Sequence, residues 1–360
     1  MPGVGRILVR RAIALGLALI IVVFLTGVIM EATGYSERVW KAIIQAQVRA
    51  YVQQLLQKRV PTSEVQKAAK ELEENLTRIY GLDQPWYVRV FPLVQRTLVF
   101  DLGIIMSPEV ANVAGIPYPA PVKEAIFVTL PRTIVMITVA EIICIVIALP
   151  FAPRIAYRHG TKLDKAVVTY AALFNAIPVW WLGMLFLFLF GYELGVYDTA
   201  AGRKIIPVLN NFWEDPISNF IALIKYSYLP IVVIVISFLG GWFYSIRAIT
   251  LRIVREDYVT VAKAKGLPEK IIARRYILRV LAPPVTTYVI LALAGSIGGF
   301  IITESVFDWP GMGSLYFAAI TGGDVATILG LTYVLTMVYI IARFILEVLY
   351  ILLDPRIRMR

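Results

Sequence analysis

Ser296 stands in the run Ala294-Gly295-Ser296-Ile297-Gly298, which has the shape of a nucleophile elbow with alanine in first place. A serine nucleophile needs a base within hydrogen-bond reach. The only histidine, His159, belongs to a separate, strongly basic segment. The surroundings of Ser296 are apolar throughout, so close helix packing through the pair Gly295 and Gly299 is the better reading of these glycines. Glu141, Arg343 and Glu347 are ionisable residues inside apolar runs. At mid-helix such residues cost about 2.5–3.5 kcal/mol on insertion, so a functional role is the default hypothesis. Arg343 and Glu347, spaced i, i+4, can neutralise each other on one helix face. Glu141 has no evident partner. One cysteine, Cys144, permits no intrachain disulfide and, with a single histidine, no clustered metal site. Neither a G-x-x-x-x-G-K-[ST] loop for ATP phosphates nor an H-E-x-x-H pair occurs. No catalytic residue, metal ligand or cofactor site is expected on this chain.

Charge is scarce where the chain is apolar. Of 360 residues 59% are hydrophobic and only 16% charged, against about 25% charged in a soluble domain. Apolar runs recur at residues 12–30, 125–150, 166–190, 227–246, 281–302 and 328–353. Each reaches the roughly 20 residues needed to cross about 30 Å of hydrocarbon. An all-α membrane protein with six transmembrane helices follows. The first run, preceded by Arg6, Arg10 and Arg11, is longer than a typical signal-peptide core and lacks a clear small-residue cleavage site, so an uncleaved span is expected.

The net charge of +11 is explained by where its residues fall. Arg154, Arg158, Lys162 and Lys165 follow the second run. Nine basic residues lie between Arg247 and Arg279, and Arg356, Arg358 and Arg360 end the chain. With six spans, these segments and the basic N-terminus share one side, and the positive-inside rule makes that side cytoplasmic. The charge therefore calls for a lipid bilayer and not for nucleic acid. Three regions result: residues 1–30 with the first span, an extracellular helical segment 31–124, and a core 125–360 of five spans with a cytoplasmic loop at 247–282.

Within the outer segment, Ser63 and Gln66 are placed as a capping box. Val65, Ala69, Leu72, Leu76 and Ile79 follow at helical spacing up to Gly81. A second amphipathic stretch, Ser36 to Arg59, carries Trp40, Ile43, Ile44, Tyr51 and Leu55 on one face. Asn75-Leu76-Thr77 is a sequon of the glycosylation type. Trp309-Pro310-Gly311, on the outer side, is expected to start a short helix with an aromatic anchor at the interface.

The loop at 247–282 is too polar to cross a membrane but is helical in pattern. Tyr258, Val261, Ala262 and Lys265 lie on adjacent turns before Gly266-Leu267-Pro268 breaks the helix, and Ile271, Ile272, Tyr276, Ile277 and Val280 resume it. An ordinary basic connection held near anionic headgroups would look similar. The order Arg255-Glu256-Asp257-Tyr258-Val259, then Ala262-Lys263-Ala264-Lys265-Gly266-Leu267, resembles the cytoplasmic coupling loop of ABC-importer permease subunits, in the form of their dipeptide/oligopeptide branch. Further segments match in order: Gly81-Leu82-Asp83-Gln84-Pro85, Thr129-Leu130-Pro131-Arg132-Thr133, Ile177-Pro178-Val179-Trp180-Trp181-Leu182-Gly183, Glu304 to Gly313, and Leu353 to Arg358. The motif's usual acidic residue does not occur at Val261, as is common in this branch. The departure is at residues 31–59, which look like an extra outer helix.

The resemblance implies a type I importer permease fold in the cell membrane, with both termini cytoplasmic. It implies a transport role and not an enzymatic one. Its partners would be a second homologous permease, two ATPase subunits carrying ATP and magnesium, and an extracellular substrate-binding protein. Glu256, Asp257, Tyr258, Ala262, Lys263, Ala264, Lys265, Gly266 and Leu267 would couple to the ATPase. Glu141, Trp180, Trp181 and Glu304 are candidates for the translocation pathway. Di- and oligopeptides are the implied cargo, although the branch also includes oligosaccharide permeases. A stand-alone secondary transporter or channel would show inverted repeats and broken mid-span helices, of which Pro178 within the third run is the one hint.

Overall fold

The computed structural model describes residues 2–353, and these are helical nearly throughout. Asp354 to Arg358 and the terminal arginines lie outside the described residues. Helix α1 (Pro2–Ala32) is the first span. Helices α2 (Tyr35–Gln57), α3 (Thr62–Ile79), α4 (Trp86–Leu98) and α5 (Pro108–Ala114) make up the segment between the first two spans. Helices α6 (Val122–Thr133) and α7 (Val139–Tyr157) run on as one helix through a wide turn at Ile134–Thr138. Next come α8 (Lys162–Ala176), α9 (Val179–Phe186, prolonged to Glu193), α10 (Ala201–Asn210) and the 39-residue α11 (Pro216–Val254). Helix α12 (Asp257–Ala264) follows, and α13 (Glu269–Ile271) passes into α14 (Leu278–Ser296) through another wide turn. Helices α15 (Ile301–Val306), α16 (Met312–Gly322) and α17 (Val325–Leu353) complete the chain.

Among the described residues five helices are long and apolar enough to cross a membrane, and a bent pair counts as a sixth if its two halves are one span. That pair is α8 and α9, which meet at 90° within the third apolar run. Pro178 has no amide hydrogen and pushes Ile177 out of the helical region, to φ −95° and ψ 121°. The fifth apolar run is likewise broken. Helix α14 stops at Ser296, and the chain turns through Gly299 at φ +75°, a conformation that glycine adopts without penalty. A Cβ on Gly299 would lie 2.5 Å from the Gly313 nitrogen, while one on Gly295 would meet nothing within 4 Å. The two glycines therefore do not form a helix-packing pair; only Gly299 is sterically required.

The segment between the first two spans folds as paired helices. Helices α2 and α3 pack together, with Trp40 stacked on Tyr80 at 4.2 Å between ring centroids. Arg89 of α4 bonds Glu31 at 2.9 Å and Glu37 at 3.3 Å, fastening the extra helix α2 to the first span. The expected capping box is absent. Helix α3 starts two residues earlier, at Thr62 behind Pro61, with no side-chain cap, because a proline N-cap residue presents no side-chain acceptor.

Candidate functional site

Two constructions stand out, at opposite ends of the bundle. At the end that carries the basic loops, α11 extends past the apolar region and the chain doubles back into α12. Val259 and Ala262, three residues apart, are the buried side of α12 and pack with Ile272, Ile277 and Ile155. Tyr258 and Val261 are 38% and 52% exposed. Glu256, Asp257, Lys263, Ala264 and Lys265 are also exposed. Two large apolar side chains left in the open on an eight-residue helix make a compact contact face. Gly266, at φ +70°, ends the helix in the left-handed turn that glycine favours, and Leu267 folds back onto the core. An open hollow of about 480 Å³ lies in the angle between α11 and α12, lined by Leu251, Arg252, Arg255, Glu256 and Asp257.

Of the nine residues singled out around this helix, eight are exposed or half-buried at its surface. Ala262 is the exception, at 2% exposure. It positions the helix and leaves Val261, which sequence reasoning set aside, in the exposed face. Lys263 lies 5.5 Å from the Tyr157 ring centroid, tying α12 to the end of α7. Nearby, Arg247 of α11 grips Asp164, which also accepts from the Gly160 amide and faces His159 Nδ1 at 3.1 Å.

At the other end, the broken fifth run closes over a buried carboxyl. Glu304 is fully buried. Its Oε2 accepts from the Ser314 amide at 2.7 Å and its Oε1 from the Thr133 hydroxyl at 3.2 Å. Thr133 in turn accepts from the Met312 amide at 2.7 Å. The carboxyl therefore caps the start of α16, where free amides and the helix dipole favour an acceptor. Burial pushes the carboxyl up to about 7 despite the donors around it. A Cβ on Gly313 would lie 2.8 Å from the Ile301 nitrogen, so the cage closes only around small residues.

Trp309 belongs to this cage and not to an exposed interface. It is 0% exposed, and its indole donates to the Arg132 carbonyl at 2.9 Å. The expected helix after Trp309-Pro310-Gly311 is α16. Arg132, also 0% exposed, donates from Nη1 to the Val113 and Pro310 carbonyls at 3.4 and 3.3 Å. Sequence reasoning missed Arg132 as a charge in a span. The rule that flagged Glu141 would have found it.

Glu141 has a partner after all: Trp242 Nε1 donates to its Oε2 at 3.0 Å in the bundle interior. Sequence spacing could not show this, because the two residues lie on different helices. Glu347 faces Arg11 at 3.7 Å, and Arg343 makes no ion pair among the described residues. Arginine preceding glutamate is the weaker order for an i, i+4 pair, and α1 packs directly on α17. Ser296 bonds Thr138 at 2.8 Å and the Leu293 carbonyl, with no base beside it. Trp180 is half-buried and Trp181 is 42% exposed on α9. The structure does not bring these tryptophans together with Glu141 or Glu304 in one cavity. Among the described residues no group of three metal-ligating side chains occurs.

Apolar spans, a projecting two-turn helix and a cap built on a broken helix define a multi-pass membrane protein. The chain belongs to the family of binding-protein-dependent transport system inner membrane components, whose model matches residues 144–359. It is similar to the oligopeptide transport system permease protein AppB of Bacillus subtilis, with 27% identity over 81% of this chain and 86% of the relative. It is also similar to the probable D,D-dipeptide transport system permease protein DdpB of Escherichia coli, at 28% identity over the same shares. The di/tripeptide transport system permease protein DppB of Pseudomonas aeruginosa is 29% identical over 77% of this chain and 82% of its own. The chain is therefore a multi-pass protein of the cell membrane.

Proposed function

We propose that this chain is one of two permease subunits of an ATP-driven importer of the type I fold and lines half of its pathway for di- and oligopeptides. Both termini and the 247–282 loop face the cytoplasm. Two ATPase subunits dock below, and an extracellular binding protein delivers cargo above. ATP shifts the spans between inward- and outward-facing states only as far as it binds the two states differently. Helix α12 is the mechanical link that carries this difference into the membrane.

The observation that carries the reading is the two-sided build of α12. Val259 and Ala262 root it in the core, while Tyr258 and Val261 are left uncovered. Together Tyr258 and Val261 form a small apolar face that a docked subunit would cover. Trp181 offers an open aromatic face to a pathway. Glu141 and Glu304, both buried, support the wall from behind. The peptide permeases among the relatives favour peptides over oligosaccharides as cargo.

Co-purification of the tagged chain tests the assembly. The reading expects a second permease and P-loop ATPases in stable association. A chain that carries solute across vesicle membranes on its own would refute it.

A further inference from the structure

Two loops more than a hundred residues apart bring their positive charge to one cavity. It has a volume of about 720 Å³ and opens between the end of α7 and the α13–α14 segment. Arg154 and Arg158 come from one side, Lys270 and Arg274 from the other, and Glu269 is the one acid in the lining. None of these four cations forms an ion pair among the described residues; Arg154 spends one hydrogen bond on the Pro150 carbonyl. Pairing elsewhere is plentiful: Asp164 takes up Arg247, and Glu31 takes up Arg89. Positive-inside placement accounts for basic residues on this side, but not for their meeting around a shared hollow.

The rest of the lining is apolar. Phe151, Leu163 and Leu278 are 53%, 60% and 46% exposed, and each faces this cavity. The height is right for a boundary between tails and headgroups. The helix Val122–Tyr157 has 36 residues, about 54 Å at 1.5 Å per residue, well beyond the roughly 30 Å of hydrocarbon. Its last turns, which carry Phe151 and Arg154 and are followed directly by Arg158, therefore pass from the hydrocarbon into the headgroup layer. Basic hollows between helices on the cytoplasmic side suit anionic headgroups.

We propose that this cavity binds one anionic glycerophospholipid. Its phosphate sits among Arg154, Arg158, Lys270 and Arg274, and an acyl chain lies along Phe151, Leu163 and Leu278. Charge complementarity selects the phosphate, and the exposed apolar wall selects a lipid over a soluble anion. Tyr157 also lines the cavity and carries Lys263 over its ring. A bound lipid would thus brace α7 against the segment that roots α12. The proposal rests on the reading above only for the leaflet, and its test needs no transport.

The test uses the intact transporter in nanodiscs of phosphatidylcholine with a minor fraction of phosphatidylglycerol, and native mass spectrometry counts the lipids each particle retains. Wild type should retain phosphatidylglycerol selectively. Arg158→Ala with Arg274→Ala should lower that selectivity about 30-fold, equivalent to about 2 kcal/mol at roughly 1 kcal/mol per basic side chain. Arg158→Lys with Arg274→Lys should keep most of it, which separates loss of charge from loss of fold. Equal selectivity in the alanine variant overturns the proposal, as does displacement of the lipid by inorganic phosphate. If the chain proves not to be an importer subunit, the lipid result on the chain alone still stands or falls by itself.

Discussion

Arg247 holds Asp164 through two hydrogen bonds, Nε to Oδ1 at 2.5 Å and Nη2 to Oδ2 at 2.9 Å. The pair joins α11 to the start of α8 two turns before the chain leaves α11 for α12. Asp164 is nearly buried, its side chain 3% exposed against 14% for Arg247. Removing one partner leaves the other charge stranded, at a cost of about 3–5 kcal/mol. Arg247→Met should therefore destabilise the chain strongly in a thermal melt. Arg247→Met with Asp164→Leu should recover much of the loss, because the unpaired buried carboxylate is gone. Equal melting of the single and double variants would contradict the pairing.

The two faces of α12 make opposite predictions. Val261→Lys places a charge on an exposed position and should leave the stability within about 0.5 kcal/mol of wild type in a melt. ATP-driven uptake should fall at least roughly tenfold, the scale of a central interface residue. Ala262→Leu forces extra volume into the packed side and should cost about 1–3 kcal/mol in stability. Uptake assays alongside melting of the reconstituted complex separate the two. A Val261→Lys variant with unaltered uptake would remove α12 from the docking face.

Glu304 gives the cap on α16 a pH dependence. Its folded carboxyl lies near 7, above the ordinary 4.5, so ionisation is harder in the fold than in the unfolded chain. The stability it contributes is full below about pH 4.5 and is lost as pH rises through about 7. The span of that loss is at most about 3 kcal/mol. Melting temperature should fall between pH 5 and 8 in wild type by more than in Glu304→Gln, which keeps an acceptor for the Ser314 amide. Parallel slopes in the two proteins would contradict this.

Glu141 and Trp242 separate support from transport. Trp242→Phe leaves a buried carboxyl without its donor and should cost about 1–3 kcal/mol in stability. Glu141→Gln keeps the acceptor, so assembly should be close to normal while uptake slows. Normal uptake in Glu141→Gln would limit Glu141 to a packing role.

How much was legible beforehand follows the range of each interaction. The spans were readable because burial in lipid acts on every residue of a run, and α12 was readable because Gly266 and Pro268 punctuate it locally. The 90° break at Ile177–Pro178 was half-readable: the proline was evident, but not whether neighbouring helices would tolerate a straight course. The cage around Glu304 draws on Thr133, Gly311 and Ser314 from separate elements, and no local pattern announces it. Arg11 meeting Glu347, at nearly opposite ends of the chain, is the plainest case. A helical i, i+4 rule nominated Arg343, and the packing of α1 on α17 supplied another cation.

Proximity labelling tests the docking of α12 most directly. Cys144, the only native cysteine, is 0% exposed, so Val261→Cys would carry the one accessible thiol. With a short thiol-to-amine cross-linker in the assembled transporter, the account predicts a covalent adduct between this chain and an ATPase subunit. The same treatment of Ala262→Cys, whose side chain points into the core, should give little. An ATPase that co-purifies yet never cross-links from Val261→Cys or Tyr258→Cys would contradict the claim that this helix is the handle.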